Sequence, residues 1–107
     1  MRFKVIVGEQ VYAVEVPEDL LREAADFHVR LDRDMDRGWQ MSRDFVAQPG
    51  PLQRCQIVAD KLLTSITQGN QATAMLMAAY IALRMPGAVG VDIDDAGEMQ
   101  NTELLYA

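Results

Sequence analysis

The sequence predicts an α+β fold with an N-terminal β-hairpin, three helices and a C-terminal β-hairpin, in which the two hairpins share one antiparallel sheet. Three observations predict this fold. Apolar and polar residues alternate near both ends of the chain, as they do in half-buried strands. Between the ends, apolar residues recur at steps of three and four, the spacing of an amphipathic helix. Glycine and proline separate these segments.

Length and composition fit a single domain over residues 1–107. A soft prior of roughly one domain per 100 to 200 residues leaves no room for a second domain in 107 residues. Half of the residues are hydrophobic and 24% are charged, which is typical of a globular protein and not of a disordered one. Because so small a domain buries only about 60 to 70% of its unfolded surface, association between copies is a plausible further source of stability.

The first sixteen residues predict a β-hairpin. A two-residue type II′ turn that starts at Gly8 places Val5 opposite Tyr12 and puts both side chains on one face. The same register places Arg2 opposite Glu15 on the other face, where opposite charges stabilise a strand pair modestly. The turn and the charge pair therefore support the same register.

A long amphipathic helix is predicted to follow, starting near Pro17, which needs no N–H in a first helical turn. Its charged run from Arg30 to Arg37 is interpreted as a face in water. Gly38 is the expected place for a bend or an end. The apolar stripe of this helix consists of Leu20, Ala24, Phe27, Leu31 and Met35.

Two apolar helices complete the predicted helical layer. The first starts at Pro51, and Gly69-Asn70 favours a break before the second, Gln71 to Arg84. This last helix is apolar on nearly every side, with Ala74 and Ala78 on a small-residue edge and Tyr80 among the bulky side chains. Two helices and a small sheet offer too little cover for such a helix. The sequence therefore predicts a homo-oligomer that is formed through it.

The C-terminal segment combines a strand pattern with a possible metal motif. Asp92, Asp94 and Glu103 fall on positions one, three and twelve of the EF-hand calcium loop, and Gly97 falls on position six. Position five is Ala96, and a strand pattern stands where an EF-hand needs a helix. A polar hairpin turn is thus the favoured interpretation, and a divalent-metal site on the three acids is the alternative.

Few residues are suited to catalysis. His28 is the one histidine, and its place four residues before Asp32 permits a hydrogen bond between the two. Cys55 lies on an apolar helix stripe, where cysteine is usually a small buried hydrophobe. No glycine-rich loop has the spacing of a nucleotide site. The sequence therefore favours a protein that is not an enzyme, and no cofactor is expected.

A further candidate contact patch consists of Trp39, Met41 and Phe45. Tryptophan and arginine are the residues most enriched in binding hot spots, and here they stand next to the glycine break at Gly38 with Met41 and Phe45 close by. The competing interpretation places Trp39 and Phe45 in the core. The leading hypothesis is accordingly a small, non-enzymatic interaction or regulatory domain of adaptor type that acts as a homo-oligomer and has a possible protein partner. The alternative is the divalent-metal-binding module.

Charge and hydropathy narrow the expected partners and location. A net charge of -6 argues against a nucleic-acid partner, which needs clustered basic residues. The longest apolar run, Ala74 to Leu83, is shorter than the roughly 20 residues of a membrane-spanning helix, so no membrane partner is expected. One cysteine cannot form an internal disulfide, which fits a reducing, cytoplasmic setting.

Overall fold

A computed structural model describes all of residues 1–107 and confirms the α+β class, with 49% helix and 26% strand. The strands are β1 (Arg2–Val7), β2 (Gln10–Glu15), β3 (Trp39–Met41), β4 (Asp44–Val46), β5 (Ala88–Ile93) and β6 (Glu103–Tyr106). The helices are α1 (Glu18–Glu23), α2 (Ala25–Asp36), α3 (Pro51–Thr67) and α4 (Gln71–Arg84), and a short 3-10 turn covers Met99–Asn101. None of these helices has both the length and the apolar character that crossing a membrane requires.

The N-terminal hairpin has the register that the sequence predicts. Val5 lies opposite Tyr12, and Arg2 lies opposite Glu15. Gly8 opens the turn with a φ of 59°, which glycine adopts without a steric penalty. Nε of Arg2 lies 2.9 Å from Oε1 of Glu15. The predicted turn position and the predicted charge pair are both confirmed.

The two hairpins share one four-stranded sheet in the order β2-β1-β5-β6. Each hairpin is antiparallel, but β1 and β5 run parallel where they join, so the expectation of a purely antiparallel sheet was wrong. Apolar alternation shows which residues share a face and carries no information on strand direction. The direction of β5 relative to β1 depends on the end of the sheet at which the chain leaves the helical layer. Tertiary packing determines that end.

The predicted long helix is two helices with a corner at Ala24. Ala24 is 2% exposed, with φ of -82° and ψ of -1°. Its N–H donates to Leu20 O, and its own carbonyl accepts from the N–H of His28. No glycine or proline marks this corner, which is why the periodicity alone predicts one helix. The corner lets α1 contact α4 while α2 continues along a different line.

A short hairpin that the sequence did not reveal follows α2. Gly38 ends the helix with a φ of 91°, and a Cβ built at Gly38 would lie 2.4 Å from Cζ of Phe45. The hairpin is fastened to the C-terminal turn by Ser42, whose Oγ donates to Gly97 O at 2.9 Å and accepts from Met99 N at 3.1 Å. Strands of three residues are too short to show a two-residue period.

The predicted break between the last two helices is confirmed. Gly69 has a φ of 73°, and its N–H bonds Ile66 O, while the N–H of Asn70 bonds Ser65 O. This pair of bonds is a Schellman motif. Oδ1 of Asn70 then caps α4 by accepting from Thr73 N at 3.1 Å. A glycine and an asparagine therefore end one helix and start the next within four residues.

The helices and the sheet form two layers, with the core between them. The apolar side chains of the core come from one face of the sheet and from the helices that pack on it. The largest of the fully buried apolar side chains are those of Tyr80, Phe3, Met35, Met41, Ile57, Leu62 and Ile81. The opposite face of the four-stranded sheet contributes no residue to this core.

Candidate functional site

Helix α4, which the sequence analysis assigned to an interface between copies, lies in the core of a single chain. Ala74, Ala78 and Tyr80 are 4%, 0% and 1% exposed. Helices α1 and α3 and strands β2 and β5 all contact α4. Part of this cover comes from the corner that brings α1 against α4, which no residue type in the sequence marks.

The patch around the short hairpin is divided between core and surface. Met41 is fully buried, Trp39 is half-buried and Phe45 is 63% exposed. Nζ of Lys61 lies 4.6 Å from the centre of the Trp39 ring, a distance at which an ammonium group is attracted to the π-face. Of the three residues, only Phe45 presents most of its side chain to solvent.

Asp92, Asp94 and Glu103 of the C-terminal segment line one pocket of about 250 Å³, but they belong to different elements. Asp92 on β5 lies opposite Glu103 on β6, and both are exposed. Asp94 instead accepts hydrogen bonds from the N–H groups of Ala96 and Glu98 at 3.3 and 3.2 Å. It therefore shapes the turn. No group of three histidine, cysteine, aspartate or glutamate side chains is placed to hold a metal ion.

A polar cluster centred on Asp32 joins three helices, and the sequence analysis placed this residue in a charged face in water. The Tyr80 hydroxyl donates to Oδ1 of Asp32 at 2.6 Å. Arg84 donates to Oδ2 at 2.9 Å, and Arg54 donates to Oδ1 at 3.1 Å. The carboxylate of Asp32 on α2 thus accepts hydrogen bonds from one residue of α3 and from two residues of α4.

Arg54 extends this cluster to the end of α2 and to the loop before α3. It donates to Oδ1 of Asp36 at 2.7 Å, to Pro49 O at 2.9 Å and to the carbonyl of Asp32 at 3.2 Å. A guanidinium group offers five N–H donors in a fixed plane, which suits it to several acceptors at once. The four-residue spacing of Asp32 and Asp36 was visible in the sequence, but the arginine that joins them was not.

The hydrogen bonds of the cluster favour the ionised form of the Asp32 carboxyl group. Burial by itself raises the pKa of Asp32, but the hydrogen bonds from Tyr80, Arg84 and Arg54 outweigh it and hold that pKa below its ordinary value. Burial and the hydrogen bond to Asp32 raise the pKa of the Tyr80 phenol. Because the carboxylate is bound by three donors, it has little capacity left to act as a general base.

The predicted contact between His28 and Asp32 does not form. Nε2 of His28 lies 3.0 Å from Leu76 O, so this nitrogen carries the proton and donates it. Nδ1 is buried and has no hydrogen-bond partner. Burial lowers the pKa of His28 and raises the pKa of the Cys55 thiol to about 11. A neutral imidazole and a protonated thiol remain, and neither is an activated group.

Comparison with known proteins adds no identification. No family model, curated protein or solved structure matches the chain.

The most accessible candidate is the bare side of the four-stranded sheet, which we call the outer face. The register of the strands places on it every residue that alternates with the core positions Phe3, Val5 and Val91. Val11 is 60% exposed, and Ile6 and Leu105 are half-buried. The outer face consists of Arg2, Lys4, Ile6, Val11, Ala13, Glu15, Gly90, Asp92, Glu103 and Leu105.

Charges on the outer face are only partly paired. Arg2 and Glu15 neutralise each other, whereas Lys4, Asp92 and Glu103 form no ion pair. Asp92 and Glu103 lie directly opposite on neighbouring strands, where like charges destabilise a sheet. One free cation and one pair of free anions therefore remain on the same surface.

Beside this face, strand β2 leaves one edge of the sheet open. Met1 and Val16 exchange both backbone hydrogen bonds, so the alternation of the ladder turns the backbone groups of Val11, Ala13 and Glu15 away from β1. A groove of about 430 Å³ runs along this edge. Its lining residues are Tyr12, Ala13, Val14, Glu15, Ser65, Ile66, Gly69, Asn70, Gln71, Ala74 and Met75. The edge is therefore a second place at which another chain could pair.

Proposed function

We propose that this protein is a small, non-enzymatic interaction domain of regulatory or adaptor type that acts as a homo-oligomer. The observation that carries the proposal is the bare outer face of the sheet. All helices pack on the opposite face, so one side of a four-stranded sheet is left for another molecule. The proposed interface is thus the sheet and not helix α4.

The apolar residues of the outer face are neighbours. Ile6 lies opposite Val11 on the adjacent strand, and Ala13 follows two residues after Val11 on the same face. Antiparallel sheets often leave one face in water, and polar side chains then dominate that face. A contiguous aliphatic patch between charged groups is more typical of an interaction surface.

The polar groups of the interior support a role without catalysis. The carboxylate of Asp32 is bound by three donors. Cys55 is fully buried, and its thiol is protonated at neutral pH because its pKa is about 11. His28 is held by a backbone carbonyl. These groups stabilise the fold, and none is poised next to an open cavity as a nucleophile and its base would be.

Sedimentation velocity across the micromolar range tests the proposal. A sheet of four strands measures about 19 by 20 Å, from a strand spacing of about 4.8 Å and a rise of about 3.3 Å per residue. This is small for a stable interface, so we expect a dimer whose population grows with concentration. A chain that stays monomeric throughout the range contradicts the proposal.

A pair of substitutions assigns the dimer to the sheet. Val11→Asp places a charge in the aliphatic patch, and we expect it to abolish the dimer. Val29→Asp is the matched control, because Val29 is 45% exposed on α2, in the helical layer. The control is expected to sediment as the unmodified protein does. Equal sedimentation of the two variants would rule out the outer face.

A further inference from the structure

We propose that two copies dock outer face to outer face about a two-fold axis, so that Lys4 of each copy pairs with Asp92 and Glu103 of the other. This inference rests on the proposed function and specifies its partner as a second copy of this chain.

The charges lie in two adjacent rows across the strands. Lys4 pairs with Gly90 in the first row, which Ala13 and Leu105 complete. Asp92 and Glu103 belong to the second row, two residues further along the strands, and Ile6 and Val11 complete that row. The two rows are about 7 Å apart, the length of two residues in a strand.

In the proposed dimer the two-fold axis lies in the plane between the two facing sheets and runs perpendicular to their strands. Rotation about this axis places the first row of one copy above the second row of the other. Lys4 of one copy then lies above Ile6 of the other, next to Asp92 in the adjacent strand. Symmetry forms the same contact twice, as in any isologous interface. Lys4 has no ion pair within its own chain, and in the dimer it thus reaches Asp92 and Glu103 of the other copy, which also have none.

Gly90 lies in the row that this rotation places opposite Asp92. In the rotated arrangement Asp92 of one copy faces Gly90 of the other, which is buried by its neighbours and has no side chain of its own to meet the carboxylate. A Cβ at Gly90 would lie 2.4 Å from the carbonyl oxygen of Lys4 and 2.9 Å from its Cβ. The close approach of β1 and β5 therefore requires glycine here.

The apolar residues match under the same rotation. Val11 of one copy lies above Ala13 of the other, so the larger side chain meets the smaller one in each half of the interface. Arg2 and Glu15 are already paired within each chain, and they remain at the margin of the contact.

Charge reversal tests the arrangement. Lys4→Glu in one variant, and Asp92→Lys with Glu103→Lys in a second, each place like charges across the proposed contact. We expect either variant alone to dimerise at least about tenfold more weakly than the unmodified chain. Mixing the two variants is expected to restore a heterodimer, because their reversed charges complement each other. Fluorescence-detected sedimentation with one variant labelled measures this association.

The outcomes separate this inference from the proposed function. Arg33→Glu, and Asp26→Lys with Asp34→Lys, lie on the exposed surface of α2 and match the two changes in net charge, and thermal unfolding shows that each variant is folded. If the unmodified chain dimerises but the variants associate as it does, or fail to recover on mixing, the face-to-face arrangement is wrong while the homo-oligomer stands. If the unmodified chain is monomeric, both proposals fail.

Discussion

The hydroxyl of Tyr80 donates a 2.6 Å hydrogen bond to the carboxylate of Asp32, 48 positions earlier in the chain. The His28 ring packs edge-on against Tyr80 at 5.3 Å between centres, and the Arg84 guanidinium lies 4.8 Å from the Tyr80 ring centre. One aromatic side chain of α4 therefore contacts both a carboxylate and an imidazole of α2. This contact, with Arg54 from α3, joins the helical layer.

Removing the charge of Asp32 is expected to destabilise the fold. Asp32→Asn keeps the shape of the side chain but leaves two arginines without their shared anion, so the free energy of unfolding should fall by about 2 to 3 kcal/mol. Urea unfolding followed by circular dichroism measures the change. Asp34→Asn, two residues along and exposed without an ion pair, should change stability by less than about 0.5 kcal/mol. Equal effects would show that the cluster contributes nothing.

Acidification should destabilise the protein in two stages. The pKa of His28 is lowered from 6.5 by burial, so below pH 6.5 the unfolded chain takes up a proton that the folded chain does not. The pKa of Asp32 is lowered from 3.8, so its contribution is present above pH 3.8 and is lost as the pH falls further. Urea unfolding at a series of pH values measures both stages. His28→Gln should remove the first stage and retain the second; a slope that persists in this variant would contradict the assignment to His28.

The thiol of Cys55 should be inert in the folded protein. It is fully buried, and its pKa is about 11, so at pH 8 almost no thiolate is present to react. Incubation with iodoacetamide followed by mass spectrometry should show no adduct without denaturant and one adduct in guanidinium chloride. Stoichiometric labelling of the folded protein would contradict the burial of this side chain.

A methyl group at position 90 should weaken the centre of the sheet. Gly90→Ala places a Cβ 2.4 Å from Lys4 O, so β1 and β5 must separate, and we expect a loss of about 2 kcal/mol or more in the free energy of unfolding. Gly50→Ala is the control, because its nearest neighbour would be Oε1 of Gln53 at 3.8 Å. Thermal melting compares them, and a Gly90 variant as stable as the control would contradict the predicted clash.

Local signals explain which parts of the fold the sequence predicts. Gly8 and the charge pair of Arg2 and Glu15 determine the first hairpin between residues close in the chain. Gly69 and Asn70 likewise mark a helix boundary within a few residues. In each case the decisive contacts are short in sequence, and the residue types have strong conformational preferences.

The missed features depend on contacts between distant segments. The corner at Ala24 involves no helix-breaking residue and depends on packing against the core. In the sequence, Asp32 is one of many charged residues on a helix face, and only folding brings Arg54 and Arg84 to it. Alternation in β1 predicts that the strand has two different faces. Only the complete fold shows that no helix packs on the outer face.

The parallel pairing of β1 with β5 constrains the order of events during synthesis. The central strands of the sheet are residues 2–7 and residues 88–93, so β1 leaves the ribosome about 80 residues before the strand with which it pairs. Until then the N-terminal hairpin has neither its neighbouring strand nor the α4 helix that covers its apolar face, and a lone hairpin is marginally stable in water. The sheet therefore forms only after β5 has been translated, and its formation closes a loop of about 80 residues, which slows folding relative to local pairing.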